Sequence, residues 1–186
     1  MKKEIILAGF GGQGVLALGQ MLAYGGMSEG KEVSWFPSYG PEMRGGTANC
    51  AVVISDREIS SPVVSRPDIL IAMNKPSLLK FLPAIKKGGI VIYNSSLISD
   101  FVKRGDVTYY AIPANVIAEE AGTVKAANVV LGEIIINVSK VISPEAFTAG
   151  MKKVLPQKEH IITLNMNVRE AAKKYLETKI DLRRIS

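Results

Sequence analysis

Six residues constrain this chain more than any others: Gly9-Phe10-Gly11-Gly12-Gln13-Gly14, which satisfy the spacing G-x-G-x-x-G. They follow Glu4 to Gly9, a short aliphatic run suited to a strand buried on both faces. They open Gln13 to Met27, an Ala- and Leu-rich stretch that reads as a helix, and Ala17, Gly19 and Ala23 let it lie close to a sheet. Strand, glycine loop and helix in that order are the context the motif requires. Glycines permit a tight turn and a backbone approach too close for any Cβ, and the helix N-terminus offers free N–H groups to an anion. Two readings stay open. Gly9, Gly11, Gly12, Gln13 and Gly14 bind a phosphate or pyrophosphate group of a cofactor, or the glycines serve a tight turn alone. A dinucleotide site also needs an acid about 20 residues on, at the end of the second strand. That region reads Ser34-Trp35-Phe36-Pro37, and Glu32 lies at the strand's wrong end, which counts against an NAD-dependent dehydrogenase.

The rest of the chain alternates strand and helix patterns. Gly25-Gly26 and Gly30 are read as ending the first helix, and Glu32 to Phe36 as a second strand. Pro and Gly recur too often in Pro37 to Gly46 for regular structure. Thr47 to Ile54 is strand-like, with Arg57 to Ile59 as its hairpin partner. Asp68 to Met73, Gly89 to Tyr93 and Val107 to Ala111 read as further strands, with a helix over Pro76 to Lys87. Beyond them come helices over Asn128 to Ile142, from Ser143-Pro144-Glu145, and over Asn167 to Glu177, the last polar and exposed. The expectation is an α/β fold: a single Rossmann-like domain over residues 1–186, with a mostly parallel sheet flanked by helices, a β-hairpin insertion and a helical C-terminal part.

Composition narrows the function. Of 186 residues, 47% are hydrophobic and 22% charged, which excludes a disordered chain. The mean hydropathy of +0.19 is high, so either the core is large or partners bury a face. The net charge of +6 divides evenly between the halves, unlike the basic stripe of a nucleic-acid binder. Pairs such as Lys86-Lys87 and Lys173-Lys174 are taken as solvated positions. One cysteine, Cys50, cannot hold an iron–sulfur cluster or a four-thiolate zinc site, and the lone His160 lacks partners for a metal. Glu119-Glu120 reads as a solvated pair. No apolar stretch is long enough for a membrane span and Glu4 interrupts any signal-like start, so the expected setting is cytoplasmic, away from membrane and nucleic acid.

The most distinctive stretch is Phe36-Pro37-Ser38-Tyr39-Gly40-Pro41-Glu42-Met43-Arg44-Gly45-Gly46. It sets a tyrosine, a carboxylate and a guanidinium among residues that fix unusual backbone geometry, as loops that meet a ligand or another chain do. Arg44 suits bidentate contact with a carboxylate or phosphate, the plainer alternative being a surface pair with Glu42. Gly9 to Val15 followed by Pro37 to Gly46 resembles the gamma subunit of 2-oxoacid:ferredoxin oxidoreductases, a domain also fused within single-chain pyruvate:ferredoxin oxidoreductases. Asp68 to Asn74 and Asn128 to Gly132 continue the resemblance along nearly the whole chain. The Tyr-Gly-Pro-Glu-Met-Arg-Gly-Gly form is nearer the 2-oxoglutarate or general 2-oxoacid branch, since pyruvate-type members tend to carry a second arginine where Met43 stands.

The resemblance implies one subunit of a multisubunit enzyme that decarboxylates a 2-oxoacid, 2-oxoglutarate first among them, to an acyl-coenzyme A and reduces ferredoxin. It implies that thiamine diphosphate and its magnesium sit mainly on alpha and beta subunits and the iron–sulfur clusters on cysteine-rich chains, that a delta subunit is a further partner, and that this chain alone holds no cofactor and is inactive. Its implied role is assembly and part of the coenzyme A or cofactor environment. Tyr39, Gly40, Pro41, Glu42, Arg44, Gly45 and Gly46 are the expected interface, paired with the glycine loop because both cap the C-terminal ends of the first two strands, taken as adjacent. A chain standing alone with its partner face exposed is expected to form a homodimer. The alternative is a stand-alone nucleotide-binding protein.

Overall fold

The computed structural model describes the backbone of residues 1–39 and 47–185, and the side chains of 1–38 and 47–179. Six strands, β1 Lys2–Phe10, β2 Glu32–Tyr39, β3 Thr47–Ser55, β4 Ile69–Ala72, β5 Ile90–Asn94 and β6 Thr108–Ile112, form one sheet in the order β2-β3-β1-β4-β5-β6. β1, β4, β5 and β6 run parallel. β3 is antiparallel to both β1 and β2, so three of five pairings are parallel. The helices are α1 Val15–Ser28, α2 Lys75–Phe81, α3 Ala114–Glu120, α4 Ala127–Ser139, α5 Pro144–Val154 and α6 Glu159–Ile185.

Strand side chains alternate between two cores, as a doubly covered sheet requires. Ile5 and Leu7, Cys50, Val52 and Ile54, and Ile69 and Ile71 pack with α1, α3, α4, α5 and α6. Ile6, Ala8, Leu70, Ala72 and Val91 pack with Leu78 of α2 and with Leu82, Ile85 and Ile98. α4 is buried from Ala127 to Ile136, which is why its β-branched residues are accommodated: packing on all sides overrides a weak helix propensity. Lys140, at φ 53°, ends that helix three residues after Asn137, short of the expected Ile142.

Other expectations need correction. Residues 57–59 are irregular, and the hairpin partner of β3 is β2, with Tyr39 opposite Ala48 and Glu32 opposite Ser55. β2 runs on through Pro37 to Tyr39; it is the edge of the sheet, where a missing N–H costs no ladder bond. Gly25 and Gly26 lie inside α1 and do not end it. A Cβ on Gly25 would stand 2.9 Å from the Ala146 carbonyl oxygen of α5, and one on Gly150 of α5 would strike the Met21 carbonyl, so these glycines set the close α1–α5 approach. Likewise, a Cβ on Gly19 would stand 2.5 Å from Cys50 Sγ, the close sheet approach expected of that helix. α6 begins at Glu159 and is not solvated throughout, because Val168, Arg169, Ala172 and Leu176 are buried. α3 has no counterpart among the expected elements. Lys86 is no free surface charge: its Nζ lies 2.7 Å from Glu4 Oε2 and 2.9 Å from Asp68 Oδ1.

Candidate functional site

The glycine loop joins β1 to α1 at the C-terminal edge of the parallel strands, where the Met73 N–H after β4 donates to the Ala8 carbonyl at 2.9 Å. Gly9 is walled in: a Cβ there would stand 2.8 Å from Met73 Cβ and 2.8 Å from Val15 Cγ2. Gly12 at φ 95° and Gly14 at φ 74° take left-handed conformations that side chains resist. Gly12 faces open space, whereas a Cβ on Gly14 would come within 2.5 Å of Asn128 Nδ2.

Three amide side chains hold the loop. Gln13 Oε1 accepts the Phe10 N–H at 2.7 Å and Asn74 Nδ2–H at 3.1 Å. Asn74, 4% exposed, caps α2 through its Oδ1, which accepts the Ser77 N–H at 2.9 Å. Asn128 Nδ2 donates to the Gly14 carbonyl at 3.1 Å, tying α4 to the start of α1. Sequence reasoning assigned neither Asn74 nor Asn128 to the loop. Asn-Lys-Pro after an aliphatic strand was the available sign for Asn74, an N-cap before proline; nothing local marked Asn128.

Gly14 is the N-cap of α1 and has no side chain to satisfy the first-turn N–H groups, and that turn carries no acid. The loop thus combines a rigid backbone, an uncapped helix N-terminus and open space above Gly12, which together suit an oxyanion such as phosphate. Beneath it, Cys50 is fully buried, and its Sγ lies 3.8 Å from the Val15 carbonyl oxygen. Burial pushes the Cys50 thiol up to about 12 against a smaller opposing pull from the Trp35 indole, so it is neither nucleophile nor ready metal ligand.

β1 and β2 are not neighbours, because β3 runs between them. Their C-terminal ends nevertheless share one sheet edge: Phe10 pairs with Thr47 and Tyr39 with Ala48, at the start of β3. The ends of β1 and β2 are therefore two strand spacings, about 10 Å, apart. An acid at the end of β2 would stand too far from the loop for the ribose contact of a dinucleotide site, a second reason against that reading. Tyr39 is described in its backbone only, and Gly40, Pro41, Glu42, Arg44, Gly45 and Gly46 lie outside the described residues. His160 and Glu119-Glu120 are exposed and remote from one another in the sequence, on α6 and α3.

Residues 4–175 match the family model described as pyruvate ferredoxin/flavodoxin oxidoreductase. The ketoisovalerate oxidoreductase subunit VorA of Methanothermobacter thermautotrophicus is 41% identical over 179 residues, covering 96% of this chain but 37% of that protein. The chain thus spans little more than a third of the length of this relative. The 2-oxoglutarate synthase subunit KorC of Methanothermobacter marburgensis is 39% identical over 163 residues, covering 84% of this chain and 88% of KorC. Among solved structures, the keto/oxoacid ferredoxin oxidoreductase gamma subunit of Geobacter sulfurreducens superposes with a TM-score of 0.79 at 27% identity, covering 91% of this chain and 95% of that one. With the match running through the glycine loop and every strand of the sheet, the chain belongs to the pyruvate ferredoxin/flavodoxin oxidoreductase family.

Proposed function

We propose that this chain, acting as one domain over residues 1–186, is the gamma component of a cytoplasmic 2-oxoacid:ferredoxin oxidoreductase, with the glycine loop receiving a phosphate of coenzyme A. The complex would convert a 2-oxoacid to acyl-coenzyme A and carbon dioxide and pass two electrons to ferredoxin. The names of VorA and KorC make 2-oxoglutarate and ketoisovalerate the first substrates to try. The observation that carries the reading is the uncapped start of α1 behind Gly12, on the same sheet edge where the Tyr39 to Gly46 segment begins.

The residues present fit a phosphate and do not fit the redox groups. Gly12 leaves room above a left-handed turn, and Gln13, Asn74 and Asn128 hold the backbone ready without placing a carboxylate there. The one thiol is buried and resists ionisation. We therefore assign thiamine diphosphate with its magnesium, and the iron–sulfur clusters, to alpha, beta and delta sister chains. This chain's part is to orient the acyl acceptor and close the interface around it.

The test is co-expression with the sister chains and assay of coenzyme A-dependent ferredoxin reduction. In the assembled enzyme, Gly12→Val is expected to raise KM for coenzyme A by tenfold or more, that is by about 1.4 kcal/mol or more in binding. An unchanged KM would overturn the loop assignment. Tight binding of NAD by the chain alone would favour a stand-alone nucleotide-binding protein instead.

A further inference from the structure

The two edges of the sheet are guarded differently. β2 carries Pro37, which has no N–H to offer a passing strand. β6, Thr108-Tyr109-Tyr110-Ala111-Ile112, carries neither proline nor charge. Among the described residues it pairs with β5 alone. The Thr108 N–H donates to Gly89 at 2.9 Å and the Ile112 carbonyl accepts from Ser95 at 2.8 Å, both on the β5 side. Alternation along a parallel strand then turns the N–H and C=O groups of Tyr109 and Ala111 outward.

That open edge is the floor of a slot of about 340 Å³. The slot is lined by Tyr93, Lys103 and Tyr109, the two tyrosines packing on one face of the sheet, and by Tyr175 and Lys179 of α6, which packs on the other face. Lys103 Nζ sits 5.6 Å from the Tyr109 ring centroid and Lys179 Nζ 5.7 Å from that of Tyr175. Among the described residues neither lysine makes an ion pair and no carboxylate lines the slot. We infer that the β6 edge receives an extended, carboxylate-bearing segment of a partner protein by strand addition. Tyr109 and Ala111 supply the backbone pairing, the aromatic walls clamp its side chains, and Lys103 and Lys179 select acidic residues at its ends. This holds whatever occupies the glycine loop, which lies at the end of a different strand.

The probe is the labelled peptide acetyl-Asp-Val-Thr-Val-Asp-amide, with acetyl-Lys-Val-Thr-Val-Lys-amide as its opposite, titrated into the full chain by fluorescence anisotropy with amide NMR. The acidic peptide is expected to bind and to shift the Tyr109 and Ala111 amides, and the basic one not to bind. Ala111→Pro deletes an outward donor and leaves the β5 ladder intact, and is expected to weaken binding by about tenfold or more. Lys103→Glu with Lys179→Glu is expected to reverse the preference and needs no backbone change, so the idea stays testable if the proline variant misfolds. Absence of binding by the acidic peptide, meaning that the lysines merely keep the edge soluble, would overturn it. So would citrate producing the same amide shifts, or a dimer of this chain abolished by Ala111→Pro.

Discussion

Arg169 Nε of α6 donates to Glu133 Oε2 of α4 at 2.6 Å, with both side chains at most 7% exposed. Arg169 also donates to the Thr148 hydroxyl and, at 3.1 Å, to the Pro144 carbonyl of α5, and lies 5.0 Å from the Phe147 ring centroid. Asn137 Nδ2 completes the Glu133 carboxylate at 2.8 Å. One guanidinium thus binds three helices on the face of the sheet that carries the loop.

Removing one partner of this pair strands a buried charge, so Arg169→Ala is expected to cost about 3–5 kcal/mol in urea unfolding. Arg169→Met combined with Glu133→Leu is expected to recover most of that loss, since hydrophobic replacement of both partners leaves no orphan charge. If the double variant is as unstable as the single one, the network does more than satisfy itself.

At the N-terminal ends of the central strands β1 and β4, burial alone would raise the Glu4 carboxyl, but hydrogen bonds from Lys86 and Lys2 outweigh it and hold it below its ordinary value. A depressed acid stabilises the fold above its unfolded value near 4.5 and loses that contribution as pH falls through the folded one. Lys86 is opposed by burial but raised by Glu4 and Asp68, so its contribution is full below 10.5 and fades at higher pH. Melting temperatures are expected to fall from pH 5 toward pH 3 more steeply in the native chain than in Glu4→Gln.

Substitutions in the glycine loop should separate conformational strain from collision. Gly12→Ala, strained but unobstructed, is expected to cost about 1–2 kcal/mol. Gly14→Ala adds the clash with Asn128 and is expected to cost more. Denaturant midpoints at constant slope would check the order.

Cys50, sealed beneath α1, is expected to resist thiol reagents up to about pH 10 and to react at the rate of unfolding. Fast labelling of the native protein would show that the α1–β3 contact opens locally.

The aliphatic runs of β1, β4 and β5 were legible because parallel central strands are buried on both faces and leave little choice of residue. The glycine motif was legible because left-handed turns and close approaches admit little else. Ser143-Pro144 announced α5 for the same local reason, with Ser143 Oγ accepting the Ala146 N–H at 3.1 Å. What no local pattern contained was position across the sheet. That β3 inserts antiparallel between β1 and β2, that Asn128 reaches Gly14 across 114 residues, and that Arg169 finds Glu133 are outcomes of packing. Strand propensity and helix period are properties of neighbours in the chain; partners across a core are chosen by which arrangement buries the most apolar surface while leaving no polar group alone.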